Sequence, residues 1–219
     1  MAGQAKCRVL RRVSTWPVTN LGSTPKTLSP FVLRKECNRL HRSNFYYTMK
    51  EGFFVQQSMY RSPLGPLFLW FADDKLVYTT FHEESGKCWL EKHFPTASWN
   101  SKPLQTSYQG DLDVYFRGRK IDFDWPLHLI GTDFQQNVWQ EIRKVRHGEV
   151  TTYKKIGESL GTRAYRAIGQ AVGANPISLI VPCHRILGTG SLGGYGGGIN
   201  LKRLLLELEN VTLAPNLLA

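Results

Sequence analysis

Cys183 lies in the run Ile180-Val181-Pro182-Cys183-His184-Arg185-Ile186, a thiol between a ring that stiffens the chain and an imidazole. A cysteine attacks an electrophile only as thiolate, and its ordinary pKa of about 8.5 leaves little of it ionised at neutral pH unless a base assists. His184 is the nearest candidate base, which makes this segment the best-placed nucleophile of the chain. Neighbours in sequence need not be partners in space, so the assignment rests on what the C-terminal half places around them.

Upstream, Thr132 and Gln135 have the spacing of a helix capping box, and Phe134, Val138, Ile142 and Val145 recur at helical intervals with Trp139 beside them. This predicts a helix of about a dozen residues. Gly148 ends that segment. A second short helix is predicted over Tyr153 to Leu160, with Gly161 stopping it. Thr162 is expected to cap a third, burying Ala164, Ala167, Ile168, Ala171 and Val172 and turning Arg163, Arg166, Gln170 and Gly173 outward. Two short helices joined by a glycine turn, the second showing arginines and small groups, have the pattern of a helix-turn-helix.

Asn175-Pro176 stops the third helix, and the residue before a proline is pushed to extended geometry. The apolar run Ile177 to Val181 therefore predicts a short buried strand from whose end Cys183 emerges. Gly188 to Gly198 holds seven glycines around Tyr195, a loop whose backbone can approach a ligand closely. A final amphipathic helix is expected to turn Leu201, Leu204, Leu205 and Leu208 inward.

The N-terminal half differs in style. Phe53 to Gln57, Leu67 to Phe71 and Leu76 to Phe81 are short β-rich runs separated by Pro63-Leu64-Gly65-Pro66 and Asp73-Asp74, which predicts a small antiparallel sheet. A helix is expected around Lys87 to Phe94, irregular chain from Trp99 to Leu112, and a strand near Ile121 to Trp125. Residues 1–48 carry nine Lys or Arg against one acid, Glu36, and show no sustained periodicity. They read as a basic disordered extension, a transit-like leader, or sequence ahead of a start at Met49. The division expected is thus 1–48, 49–131 and 132–219.

The formal charge of +11 points to a polyanionic partner, nucleic acid first. The extension carries +8 of it, so the body of the chain is only mildly basic. No stretch approaches the roughly 20 apolar residues of a membrane helix. Cys7, Cys37, Cys88 and Cys183 form none of the tight spacings of a metal site, and without an apolar signal segment a disulfide framework is not expected either. No metal and no cofactor are expected, and the setting read from the cysteines is reducing and intracellular: cytoplasmic, or nuclear in a eukaryote.

Six ordered blocks carry a resemblance: Gly148-Glu149-Val150-Thr151-Thr152-Tyr153, Arg166-Ala167-Ile168-Gly169, Asn175-Pro176, Pro182-Cys183-His184-Arg185, Gly194-Tyr195-Gly196-Gly197-Gly198 and Glu209 at the end of the last helix. Together they resemble the O6-alkylguanine-DNA alkyltransferases, closely over about residues 132 to 209, whereas 50–131 match that family in length and style only. The resemblance implies an α+β protein with a small ribonuclease-H-like sheet domain and a winged helix-turn-helix domain that binds DNA and reacts. It implies single-turnover repair of O6-alkylguanine, and of O4-alkylthymine, in duplex DNA. The alkyl group would pass irreversibly to Cys183, with no small-molecule methyl donor, in a monomer.

Carried over residue by residue, the resemblance implies that His184 takes the thiol proton through a bound water and that Glu209 orients and balances the imidazolium. A carboxylate at a helix C-terminus opposes the helix dipole, which itself suggests another partner for Glu209. Tyr153 would protonate the departing base, and Asn175 would hold the segments on either side of it in register. The target nucleotide would be flipped out, with Arg166 filling the vacated stack and Ala167 and Gly169 permitting close approach in the minor groove. Tyr195 would close the pocket, with backbone N–H groups of Cys183 and Gly196 near O6 and the Ile186 carbonyl near the exocyclic amine. Tyr165 departs from the alanine common in that family, and Gly196 from the serine of some relatives. A non-reacting lesion-binding relative lacks the cysteine that is present here. A transcription factor has no use for a Cys-His-Glu set, and a cysteine hydrolase needs a peptide cleft that the sequence does not suggest.

Overall fold

The computed structural model describes residues 54–214. The basic extension, Met49, Cys7 and Cys37 lie outside the described residues. Strands β1 (Phe54–Ser62), β2 (Gly65–Ala72) and β3 (Lys75–Thr80) form an antiparallel meander. The β2–β3 turn places Asp73 and Asp74 at φ 47° and 58°, left-handed geometry that a short polar side chain tolerates. After helix α1 (Glu83–His93), strand β4 (Ser98–Ser101) pairs with β1 in parallel, giving the order β3-β2-β1-β4.

The sheet is therefore mixed, where the sequence predicted an antiparallel one, and the stretch expected to be irregular holds β4 and the start of α2 (Thr106–Phe116). β4 is the tetrapeptide Ser-Trp-Asn-Ser, ordered by the open edge of β1 and not by intrinsic preference. The strand expected near Ile121 is extended chain instead. It is pinned by Leu76 N–H to the Pro126 carbonyl at 2.8 Å and by the Trp125 indole to Asp111 at 2.7 Å. Pro126 has no N–H to continue a ladder there.

β2 is buried on both faces, because period-2 alternation sends Leu67, Leu69 and Phe71 to one side and Trp70 and Ala72 to the other. The second face packs on Trp89, Leu90 and Phe94 at the end of α1 and beyond. The first packs on Leu112, Tyr115 and Phe116 of α2, and continues without interruption into Val138, Trp139 and Ile142 of α3 (Asp133–Arg143) and Ile168 and Ala171 of α5 (Tyr165–Gly173). α3 carries the expected capping box, Gln135 N–H to the Thr132 hydroxyl at 3.3 Å and Thr132 N–H to the Gln135 side chain at 2.9 Å. Phe134, expected inside, is exposed.

Strand β5 (Thr151–Thr152) leads into α4 (Tyr153–Ser159) and pairs in parallel with β6 (Ile186–Leu187), which follows the reactive segment. Thr162 does not cap α5. That helix starts after Ala164, and the Thr162 hydroxyl accepts from Ala164 N–H at 3.2 Å. Ala164 is exposed and Ala167 half-buried, so the buried face narrows to Ile168, Ala171 and Val172. Ile177 to Val181 is buried as expected but forms a turn, with Val181 N–H to the Ile177 carbonyl at 2.9 Å and Leu179 at φ 77°. Pro176 and Pro182 remove ladder donors at both ends of this run, and Thr79 at the end of β3 fastens the turn through the Pro176 and Ser178 carbonyls.

Helix α6 (Ile199–Leu208) buries Lys202, Leu205 and Leu206, with Glu209 next after its end, while Leu204 is exposed. Leu205 is buried and Leu201 and Leu208 pack partly buried against the core as predicted, so the expected face fails only at Leu204, whose place inside is taken by Lys202 and Leu206. With leucines at 201, 204, 205, 206 and 208, apolarity alone does not choose between Leu204 and Leu206. Among the described residues no helix is long and apolar enough to cross a membrane.

Candidate active site

Cys183, His184 and Arg185 form a single 3-10 turn between the buried 177–181 segment and β6, and all three side chains are buried. Cys183 is 6% exposed. The Asn175 side-chain amide donates to the Val181 carbonyl at 2.8 Å and to Cys183 Sγ at 3.2 Å, while its oxygen accepts from Ile177 N–H at 3.1 Å. One side chain thus fixes both ends of the buried turn and touches the sulfur at its exit. Burial pushes the Cys183 thiol up, against the opposing pull of Asn175, Lys202 and the backbone N–H groups of Cys183 and His184. The resting sulfur is a thiol that needs a base.

His184 supplies one with a defined tautomer. Its Nε2 stands 2.7 Å from Glu209 Oε1, and its Nδ1 is buried with no hydrogen-bond partner among the described residues. Burial would raise the Glu209 carboxyl, but the hydrogen bonds and charges of His184 and Arg185 outweigh it and hold Glu209 well below the usual carboxylate range. An ionised carboxylate only accepts, so Nε2 carries the proton and Nδ1 offers its lone pair. Burial lowers the His184 pKa, partly offset by Glu209, and keeps the ring neutral and basic at physiological pH.

Glu209 accepts from five donors. Oε1 takes His184, the Tyr115 hydroxyl at 2.7 Å and Arg185 Nη2 at 2.9 Å; Oε2 takes Arg185 Nε at 2.8 Å and Gly148 N–H at 3.3 Å. Arg185 also donates to the Val145 carbonyl at 2.7 Å. Gly148 sits at φ 79° with the Glu209 carbonyl 3.2 Å from where a Cβ would be, so backbone conformation and closeness both require glycine. Arg185, Tyr115, Gly148 and Lys202 belong to this site and were not singled out from the sequence as its members. For Arg185 the signal was present, since a guanidinium two residues from the nucleophile is the natural bidentate partner of a buried carboxylate.

The remaining predicted residues gather around the same sulfur or stand apart on α5. Tyr153 opens α4, half-buried, with its hydroxyl against Gly193 and Gly194; burial raises its pKa, and Cys183 adds to the rise. Tyr195 lies edge-on to His184 at 6.4 Å between ring centroids, and burial near Cys183 holds its phenol well above its usual pKa. The Cys183 N–H, expected near a substrate oxygen, donates to the Val181 carbonyl at 2.8 Å. The Ile186 carbonyl accepts from Lys202 at 2.5 Å. Gly196 is exposed in the loop, and Arg166 is exposed on α5 with Ala167 and Gly169 half-buried beside it. Among the described residues no cluster of three or more His, Cys, Asp or Glu could hold a metal ion.

A second buried imidazole, His147, lies edge-on to Tyr115 at 5.6 Å, with neither ring nitrogen hydrogen-bonded among the described residues. Burial lowers its pKa from 6.5, as it does for His184. Below pH 6.5 the unfolded chain binds protons that the folded one refuses, so acid destabilises; above that both states are neutral and these groups contribute nothing. Glu209 adds stability present above its ordinary value of 4.5 and lost as pH falls through its depressed one. The melting temperature is expected to be level from pH 7.5 to about 6.5 and to fall steadily below. A higher melting point at pH 5 than at pH 7.5 in thermal circular dichroism would contradict this.

Residues 133–211 match the family described as 6-O-methylguanine DNA methyltransferase, DNA binding domain. A methylated-DNA–protein-cysteine methyltransferase of Metallosphaera sedula is 42% identical over 156 residues, 71% of this chain and 93% of that protein. The protein of the same name from Mycobacterium tuberculosis is 43% identical over 153 residues, 68% of this chain and 88% of its own. The crystal structure of Mycobacterium tuberculosis O6-methylguanine methyltransferase superposes with a TM-score of 0.61 at 40% identity, covering 73% of this chain and 96% of that one. The structure of Mycobacterium tuberculosis OGT in complex with DNA superposes with a TM-score of 0.62 at 41% identity, over 70% and 92%.

Proposed function

The chain belongs to the methylated-DNA–protein-cysteine methyltransferases, and from that premise we propose that Cys183 is the cysteine that takes the alkyl group. The reaction is direct reversal of damage, in which the alkyl carbon leaves O6 of guanine in DNA for a protein sulfur. The thiol proton passes by way of a water to Nδ1 of His184. The thiolate then attacks the alkyl carbon, the S–C bond forms as the C–O6 bond breaks, and the electron pair returns to the base. Tyr153 protonates the guanine as it leaves, and the proton held by His184 returns through water to the Tyr153 phenolate, so the proton lost at Cys183 balances the one gained by the base. A thioether gives the sulfur no way back, so each molecule reacts once.

The observation that carries this reading is the buried His184–Glu209 pair beside the sulfur, with Nδ1 as the free lone pair. Glu209 orients the ring and Arg185 balances the carboxylate, so a transient imidazolium forms opposite a thiolate within a site that stays close to neutral.

Double-stranded DNA carrying O6-alkylguanine is the proposed partner, with O4-alkylthymine a second lesion and no small-molecule methyl donor. α4 and α5 serve as the helix-turn-helix. Arg166 fills the stack left by the flipped nucleotide, and Ala167 and Gly169 keep the surface low enough for the minor groove. A Cβ at Gly169 or Gly173 would meet no atom within 4 Å, so packing inside the protein does not require glycine at either position. Tyr195, Gly196 and the Ile186 carbonyl line the pocket for the flipped base. The protein is proposed to act as a monomer, in the cytoplasm or a nucleus, with a ribonuclease-H-like sheet unit over 49–131 and a winged helix-turn-helix unit over 132–219 behind the basic extension.

Incubation with duplex DNA containing O6-methylguanine, followed by peptide mass spectrometry, tests the assignment. One methyl group on the Cys183 peptide is expected, none in Cys183→Ser, and one turnover per molecule. Loss of the lesion without a modified peptide, or methylation of another cysteine, overturns it.

A further inference from the structure

Tyr165 is the first residue of α5, a large aromatic side chain left 39% exposed. Its ring is held on one edge. Cε1 lies 3.0 Å from where a Cβ on Gly157 of α4 would be, and Ile168 Cδ1 lies 2.9 Å from the same point. Gly157 is buried, so the missing side chain there is what lets the ring lie against α4 and bridge the two helices. The rest of the ring faces outward.

A single exposed aromatic means little by itself, and what singles this one out is its place. Steps of four residues put Tyr165, Gly169 and Gly173 on one strip of α5. A Cβ at either glycine would meet no atom within 4 Å, so the strip is bare beyond the ring. Arg166 and Gln170 are exposed on the adjoining strip. The ring is therefore a step at the head of a low surface, one position from a guanidinium. We propose that Tyr165 is a duplex-contacting residue, whose fixed ring packs against sugars and base edges of the minor groove beside the flipped nucleotide and helps to set how tightly this chain holds DNA.

This inference rests on the reading that α5 faces the duplex. DNA lying close enough to reach Gly169 must abut a ring four residues, or about 6 Å, further along the same strip. A ring already held on one edge has little freedom to lose on binding, so ordering offsets little of its contact. Arg166 brings charge and reach, whereas Tyr165 brings uncharged apolar surface, the kind that packs into a minor groove.

Fluorescence anisotropy with an unmodified duplex, repeated across salt concentrations, tests this, with circular dichroism to verify that each variant is folded. Tyr165→Ala is expected to raise Kd about five- to tenfold, and Tyr165→Phe to stay within about twofold of wild type. The slope of log Kd against log salt should not change in either, because an uncharged ring releases no counterions. If Tyr165→Ala does not fold, Tyr165→Leu, which still covers Gly157 but offers no ring, carries the same measurement. An unchanged or lower Kd in a folded variant would make the ring a cap on α4 or an obstacle, and overturn the proposal. A shallower salt slope would mean that the ring only places Arg166, and Tyr165→Phe as weak as Tyr165→Ala would move the contact to the hydroxyl and a phosphate; either overturns it too. Gly169→Leu separates the underlying reading, since its Cβ meets no atom of the protein. Wild-type binding by that variant would sink the placement of α5 on DNA and this inference with it. Weakened binding there with none in Tyr165→Ala would sink this inference alone. No alkyl group moves in the assay, so the assignment of Cys183 as acceptor is judged separately.

Discussion

Glu209→Ala is expected to lower the melting temperature by about 10 °C and to leave a protein that no longer repairs DNA. The carboxylate accepts from five donors, and two of them are nitrogens of a guanidinium that is itself buried. Removing it leaves Arg185 as an uncompensated interior charge, and breaking a buried pair from one side costs about 3–5 kcal/mol. In a domain of this size that corresponds to roughly 6–20 °C. Glu209→Gln has nearly the same shape but brings two N–H donors into a site whose other members all donate, so it should recover only part of the loss. A thermal melt decides, and a change of less than about 2 °C in Glu209→Ala would mean that the network adds little to stability.

The second large effect is on rate. His184→Gln keeps a hydrogen-bonding side chain in place but offers no basic nitrogen, so transfer from duplex O6-methylguanine at pH 7 should slow about a hundred- to a thousandfold. Burial holds the thiol above its ordinary pKa, which means that hydroxide can substitute for the imidazole only at alkaline pH. The deficit should therefore narrow as pH rises past about 9, while wild-type and variant bind unmodified duplex equally. Single-turnover kinetics across pH distinguish this from mere disruption. A deficit of the same size at every pH would show that the ring positions the sulfur and takes no proton.

Much of this site was legible in the order of residues because its chemistry is local or carries punctuation. Cys183 and His184 are adjacent, Asn175-Pro176 marks a chain reversal, and the Thr132–Gln135 box was recoverable because both of its hydrogen bonds close within four residues. Glu209 was recoverable because a carboxylate at a helix C-terminus asks for a partner.

The less legible features depend on contacts between distant segments. β4 has no strand preference of its own and exists because β1 offers it an edge. Ile177 to Val181 has the composition of a strand but no ladder to join. The rotation of α6 was only partly given by its leucines, since Leu201, Leu205 and Leu208 pack inward but Leu204 is exposed. It is set by Lys202 and Glu209, two charges seven positions apart and therefore on one face, each required inside by groups on other segments. Buried charge fixed the rotation of this helix where apolarity was ambiguous.

The hydroxyl of Tyr115 comes from α2, a helix of the sheet-bearing half, yet it ends on Glu209, more than ninety positions further along the chain. Neighbours of that tyrosine, Leu112 and Phe116, join the same apolar cluster as Trp139 and Ile168. A fragment restricted to 133–211 would lack both the donor and the packing behind it. The N-terminal half therefore acts as a licence for reactivity: the carboxylate that orients the base is complete only when the whole body has assembled, so a partly folded molecule holds its irreversible sulfur in an unfinished site.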